Sequence, residues 1–267
     1  MQSLDADTDE MNENNRAEKQ SFPFETLTDF DMASVSDQQL SLMTEGIGEM
    51  LAVLGEAGQQ NYHVLTNVLA SKTDEPFTQW QHYPPGDVQD KENGAIWFYH
   101  AHQEDELARP WDEHGHFHLF RYTELLRPDA EAVSMPDEFD TEKGGLCHLV
   151  AVSFGMDGLP IRIFTTNRWV AGEWMYPADD VIALLDGYQI EGKPYELTTR
   201  WLQALLKLYR PQIEWALRER DRRLPEMAER YGDRWGDEKT VEVLSSVTFD
   251  LAAQIAAIEA ESMRRNG

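Results

Sequence analysis

The sequence predicts an α+β fold: a small antiparallel sheet of four or five strands flanked by N-terminal and C-terminal helices. Three observations predict it. Leu40, Met43, Ile47, Met50, Leu51 and Leu54 recur at three- and four-residue steps, the period of an amphipathic helix. Four runs rich in aromatic and β-branched residues follow between 95 and 169, each bounded by turn residues. The last third then returns to helical spacing. Elements grouped by type, rather than alternating, indicate α+β rather than α/β.

Residues 1–33 read as a disordered acidic tail, because acids dominate and apolar residues are too few to bury. Residues 34–267 read as a single domain, with helices in 36–70, the sheet in 77–170 and helices in 178–264. Ser36 and Asp37 are possible caps for the first helix, and Gly55 and Gly58 suggest its end. Met43 and Met50 are expected in the core, where methionine fills irregular gaps. A short helix is expected over 61–69.

Residues 75–94 hold Pro76, Pro84, Pro85, Gly86 and Gly94, and read as a loop with one short strand near 79–83. Strands are expected at 95–102 (AIWFYHAH), 114–123 (HGHFHLFRYT), 146–154 (LCHLVAVSF) and 160–169 (PIRIFTTNRW). The turn signal Gly155-Met156-Asp157-Gly158 makes the last two a hairpin. A short helix follows at 178–185. Leu197, Trp201, Leu205 and Leu208 trace the next, which Pro211 should break because proline cannot donate a helix hydrogen bond. A charged helix resumes at 213–223. Val241, Leu244, Val247, Leu251, Ile255 and Ile258 predict one final helix over 237–264.

Composition excludes several classes. The net charge of −26, from 49 acids and 23 bases, argues against nucleic acid and anionic membranes, both of which need basic surface. No run approaches the ~20 apolar residues of a membrane span. The polar amino terminus lacks the regions of a secretory signal, so the expected location is the cytoplasm. A single cysteine, Cys147, excludes an intramolecular disulfide and any two-cysteine zinc site, and it reads as buried and inert.

Five of the eight histidines, His100, His102, His114, His116 and His118, fall in one short stretch at alternate positions. Residues two apart on a strand face the same side, so each segment presents its imidazoles from one face. Pairing His102 with His116 places His100 by His118, Phe98 by Phe120 and Ile96 by Tyr122. Adjacent imidazoles repel when protonated, and a bound cation removes the conflict by requiring neutral nitrogen ligands. The predicted ligands are His100, His102, His116 and His118, with His114 and His148 as possible additions. Histidine alone does not separate zinc, iron, copper and nickel. The connecting loop supplies Glu104, Asp105, Glu106, Asp112 and Glu113, one of which could complete the ligand set or orient a ligand. Glu106 is the candidate for handling protons. By strand parity His148 shares its face with Val150, Val152 and Phe154.

Three resemblances attach to these residues. Gly94, His100, His102 and Glu106 are spaced as in the first metal motif of cupins. That resemblance implies a β-barrel holding iron, manganese or another metal, with those two histidines and Glu106 as ligands. His114-Gly115-His116-Phe117-His118-Leu119-Phe120 resembles the motif of the histidine-triad nucleotide hydrolases and transferases, Gly115 being a departure. It implies His116 as nucleophile on a nucleotide α-phosphorus, with His114 and His118 orienting it or binding phosphate. Across 80–225 the text as a whole (YHAH, GHFHLF, TTNRWVAGEW) resembles an uncharacterised bacterial protein family with no established activity.

Arg168 could bind a substrate carboxylate or phosphate through its planar fork, or pair with a local acid such as Glu173. No P-loop, Rossmann, HExxH or GxSxG pattern occurs. The reading favoured is a cytoplasmic metal-binding protein with a cross-strand histidine cluster, able to serve a metal-dependent reaction on a small-molecule substrate. The alternatives are a histidine-triad-like hydrolase acting through His116, and a non-catalytic interaction protein whose helices bind a partner.

Overall fold

The computed structural model describes residues 22–71, 78–102, 111–137, 145–191 and 193–267. Among them, seven strands form one mixed sheet. They are β1 (Glu25–Leu27), β2 (Tyr83–Asp90), β3 (Ala95–His100), β4 (Gly115–Tyr122), β5 (Leu146–Phe154), β6 (Pro160–Thr166) and β7 (Val243–Thr248). Their order is β1-β7-β6-β5-β4-β3-β2. Only β1 and β7 pair in parallel; every other pairing is antiparallel. Seven α-helices accompany the sheet: α1 (Asp37–Gln59), α2 (Thr66–Leu69), α3 (Arg168–Ala171), α4 (Ala178–Leu185), α5 (Glu196–Leu208), α6 (Arg210–Tyr231) and α7 (Leu251–Asn266). No helix among the described residues is long and apolar enough to cross a membrane.

The α+β class is as expected, but the sheet is larger than four or five strands. β7 lies where a continuous helix was expected. Val241, Leu244 and Val247 have helix-like spacing, yet the segment is inserted between β6 and β1 and buried from both sides. Its serines satisfy themselves inside: Ser245 Oγ lies 2.6 Å from Thr165 Oγ1 and donates to the Ala216 carbonyl at 2.7 Å. The final helix therefore begins only at Leu251, capped by the Asp250 carboxylate, which accepts from Ala253 N. β1 falls in the stretch expected to be tail, and the fold starts before residue 34. Phe22 is fully buried, with Met175, Met227, Trp235, Val241 and Leu244.

β2 occupies the expected loop. Its prolines are tolerated because it is an edge strand with an irregular register between Tyr83 and Val88. At the other edge lies β1, so among the described residues the sheet is open and does not close into the barrel implied by the cupin resemblance.

α1 starts at a capping box in which Ser36 accepts from Gln39 N and the Gln39 side chain accepts from Ser36 N. Met43, Ile47, Met50 and Val53 face the core, whereas Leu51 and Leu54, expected on the same stripe, are exposed. α5 buries Leu197, Trp201, Leu205 and Leu208 and ends at Leu208. α6 then starts with Pro211 in its first turn, where the missing N–H costs nothing. The main core joins these helices to one face of the sheet: Met43, Met50, Leu202, Leu205 and Ile213 pack with Trp97, Tyr99, Phe117, Leu119, Val152 and Ile163.

The opposite face carries two smaller apolar groups, Ile96–Phe98–Phe120 and Ala151–Phe164–Val243. The histidines lie between them.

Candidate metal centre

Strand parity does what the sequence implied for three histidines. His100 at the end of β3, and His116 and His118 on β4, share the second face and are all buried. Each offers one ring nitrogen, and these atoms lie within 4.8 Å of one another, so the triad could hold a metal ion. The pairing differs from expectation by two residues: His100 sits opposite His116, Phe98 opposite His118 and Ile96 opposite Phe120. A two-residue slip leaves every side chain on its face, so the alternation in the sequence fits both registers equally.

The centre is tight. His100 Nε2 lies 2.7 Å from His116 Nε2 and 2.9 Å from His102 Nε2. One neutral ring nitrogen holds either a proton or a lone pair, so His100 Nε2 cannot donate to one neighbour and accept from the other. Protonating the rings would instead bring positive charges into contact among Phe98, Phe120 and Phe164. A cation resolves both difficulties, since each ring then turns a lone pair towards it. Ligand nitrogens on a tetrahedral ion at ~2.1 Å stand about 3.4 Å apart. Reaching that from 2.7 Å needs His100 and His116 to move apart by about 0.7 Å.

His102 is at the margin. It is half-buried, outside the buried triad, and its ring stacks on Trp80 with centroids 4.2 Å apart. His114 does not join. Its Nδ1 lies 2.6 Å from Tyr99 Oη, and Tyr99 belongs to the helix-covered face. Beside it, a Cβ at Gly115 would meet the His100 carbonyl and lie 2.7 Å from Tyr99 Oη. The chain passes so close to β3 that the alternation breaks there. The three histidines of the triad-like motif consequently do not share one face.

His148 does join, against its parity. β5 carries a bulge where Leu119 pairs with Val150 but Phe120 pairs with His148. The extra residue turns His148 onto the histidine face, with Nε2 2.9 Å from His118 Nδ1 and Nδ1 3.3 Å from Thr166 Oγ1. Burial, aided by the Arg220 charge, pushes its pKa down to about 3, so the ring is neutral.

Of the five acids in the connecting loop, Glu106, the expected proton carrier, lies outside the described residues together with Glu104 and Asp105. Glu113, which is described, is placed at the centre. Its Oε1 is 3.0 Å from His116 Nδ1, and its Oε2 accepts from the Ser153 hydroxyl and, at 3.2 Å, from Trp111 Nε1. Nothing in the sequence distinguishes it from its neighbours except its position three residues before His116.

Arg168 forms its ion pair with Asp237 rather than Glu173. Glu173 is buried and accepts from His148 N at 2.8 Å. Burial raises its carboxyl to about 8, against the charges of Arg220 and Arg168 and that hydrogen bond. Cys147 is fully buried, and burial pushes its thiol far up, so it is no nucleophile.

A family model described as a domain of unknown function (DUF6969) matches residues 45–249. The chain belongs to this family. The match spans β2 to β7 and every histidine of the centre, and it agrees with the uncharacterised family the motifs resemble. No curated protein and no solved structure matches the chain.

Proposed function

We propose that the protein is a metal-binding protein whose centre is a single transition-metal ion held by His100, His116 and His118, and that this ion serves a reaction on a small molecule. One observation carries the reading: three buried imidazoles from two paired strands, between two apolar groups, bring one ring nitrogen each to within 4.8 Å of the others. Buried polar side chains are retained in such surroundings when something satisfies them. Neutral imidazole nitrogens suit zinc, iron, copper and nickel alike.

Three protein ligands are the mark of a reactive rather than structural centre, since a fourth position is left for water or substrate. The ion would lower the pKa of a bound water or polarise a substrate oxygen.

Elemental analysis of the full chain, purified without chelators, tests the reading. Stoichiometric transition metal in the wild type, lost in His116→Ala, is the expected result. A wild-type chain that is metal-free and takes up no zinc, iron(II) or copper(II) on titration overturns it.

A further inference from the structure

Metal-ligating histidines are held in one tautomer by whatever accepts from the other ring nitrogen. That partner is set by geometry independent of the ion. His116 Nδ1 faces Glu113 Oε1 at 3.0 Å, with His116 fully buried and Glu113 nearly so. A carboxylate oxygen only accepts, so this contact puts a proton on Nδ1; in the neutral ring the lone pair then lies on Nε2, the nitrogen that faces His100.

Glu113 is itself held by donors from two other places. The Ser153 hydroxyl, from β5, donates to Oε2, and so does Trp111 Nε1 at 3.2 Å, which also lies 3.0 Å from Ser153 Oγ. Ser153 is opposite His116 in the β4–β5 pairing and is fully buried. Trp111 is wedged by ring contacts with Phe24 and Phe164 and lies under the Arg162 guanidinium. A carboxylate fixed from both sides in this way is oriented rather than merely nearby.

We propose that Glu113 is a positioning residue. It locks His116 as the Nδ1–H tautomer and aims Nε2 at the centre, and Ser153 and Trp111 hold Glu113 to that task. The proposal rests on the metal reading for its purpose, but the tautomer it assigns belongs to the metal-free chain as well.

Two measurements separate the two readings. Nitrogen-15 correlation spectra of histidine-labelled, metal-free full chain report the tautomer of His116 directly. The expected result is a protonated Nδ1 and a bare Nε2 in the wild type, kept in Glu113→Gln, whose amide oxygen still accepts, and lost in Glu113→Ala. Ser153→Ala, which leaves Glu113 and His116 themselves unaltered, is expected to give an intermediate mixture. A wild-type His116 with its proton on Nε2, or a tautomer unchanged in Glu113→Ala, overturns the proposal whatever the metal result.

Cobalt(II) titration then reads the consequence. Affinity is expected to fall about 10–100-fold in Glu113→Ala and to recover in part in Glu113→Gln. Equal affinity in wild type and Glu113→Ala overturns the positioning role while leaving the metal centre intact. If the wild type binds no cobalt, the metal reading fails and the spectra alone decide the tautomer.

Discussion

His148 stands opposite Phe120, and its Nε2 is 2.9 Å from His118 Nδ1, although by parity from Val150 it belongs on the other side of the sheet. One extra residue in β5 produces this contact. It also gives His118 a neighbour that burial keeps neutral. A charged partner there would repel both the other rings and any cation. His148→Ala should therefore leave a cavity and an unsatisfied His118 nitrogen, costing about 2–4 kcal/mol of stability. Urea denaturation of the metal-free chain measures this. An unchanged midpoint would mean the contact carries no stability.

His114 and His118 are chemically alike and only four residues apart, but they face opposite sides. Metal binding should distinguish them. His114→Ala is expected to retain stoichiometric metal, whereas His118→Ala loses it. The same pair can be read by thermal melting. Zinc at about 100-fold excess over its dissociation constant adds about 2.7 kcal/mol, or roughly 5–10 °C for a chain of this size. The rise should appear in wild type and His114→Ala and vanish in His118→Ala.

Gly115 sits where a Cβ would meet the backbone of His100 and the ring of Tyr99. The obstacle at His100 is backbone, which cannot swing aside as a flexible side chain would. Gly115→Ala is expected to force the β3–β4 pair apart, destabilising by about 1–3 kcal/mol and weakening metal binding through His100 and His116 together. Urea midpoint and cobalt titration on the same sample check both effects.

Glu173 gives a pH dependence with a definite sign. Its carboxyl is raised from 4.5 to about 8 by burial. Between those values the folded chain holds a proton that the unfolded chain releases. Its contribution to stability is complete below about pH 4.5 and is lost as pH rises towards 8. The slope approaches about 1.4 kcal/mol per pH unit at most. Glu173→Gln should flatten this dependence, so that its melting temperature gains on the wild type as pH climbs from 5 to 9. Parallel curves would show that Glu173 is ionised in the fold.

What is local is legible in the residues alone. Strand alternation in AIWFYH and HGHFHLFRY put His100, His116 and His118 on one face, because side chains alternate with a fixed period of two. The α1 and α5 stripes, the break at Pro211 and the turn from Gly155 to Gly158 were equally legible, since caps, prolines and turn residues act within a few positions. Tertiary structure alone decided the rest. The β3–β4 register, the bulge that recruits His148 and the turning of His114 depend on which backbone lies alongside. β1 and β7 are strands only because the sheet offers them an edge to pair with; the Val241–Val247 spacing reads as helix in isolation. Glu113 carries no mark in the sequence beyond its spacing from His116; it is the folded chain that brings it beside Ser153 and His116. Period fixes which way a side chain points while a strand runs unbroken; the assembled sheet fixes where the alternation breaks and what each side chain meets.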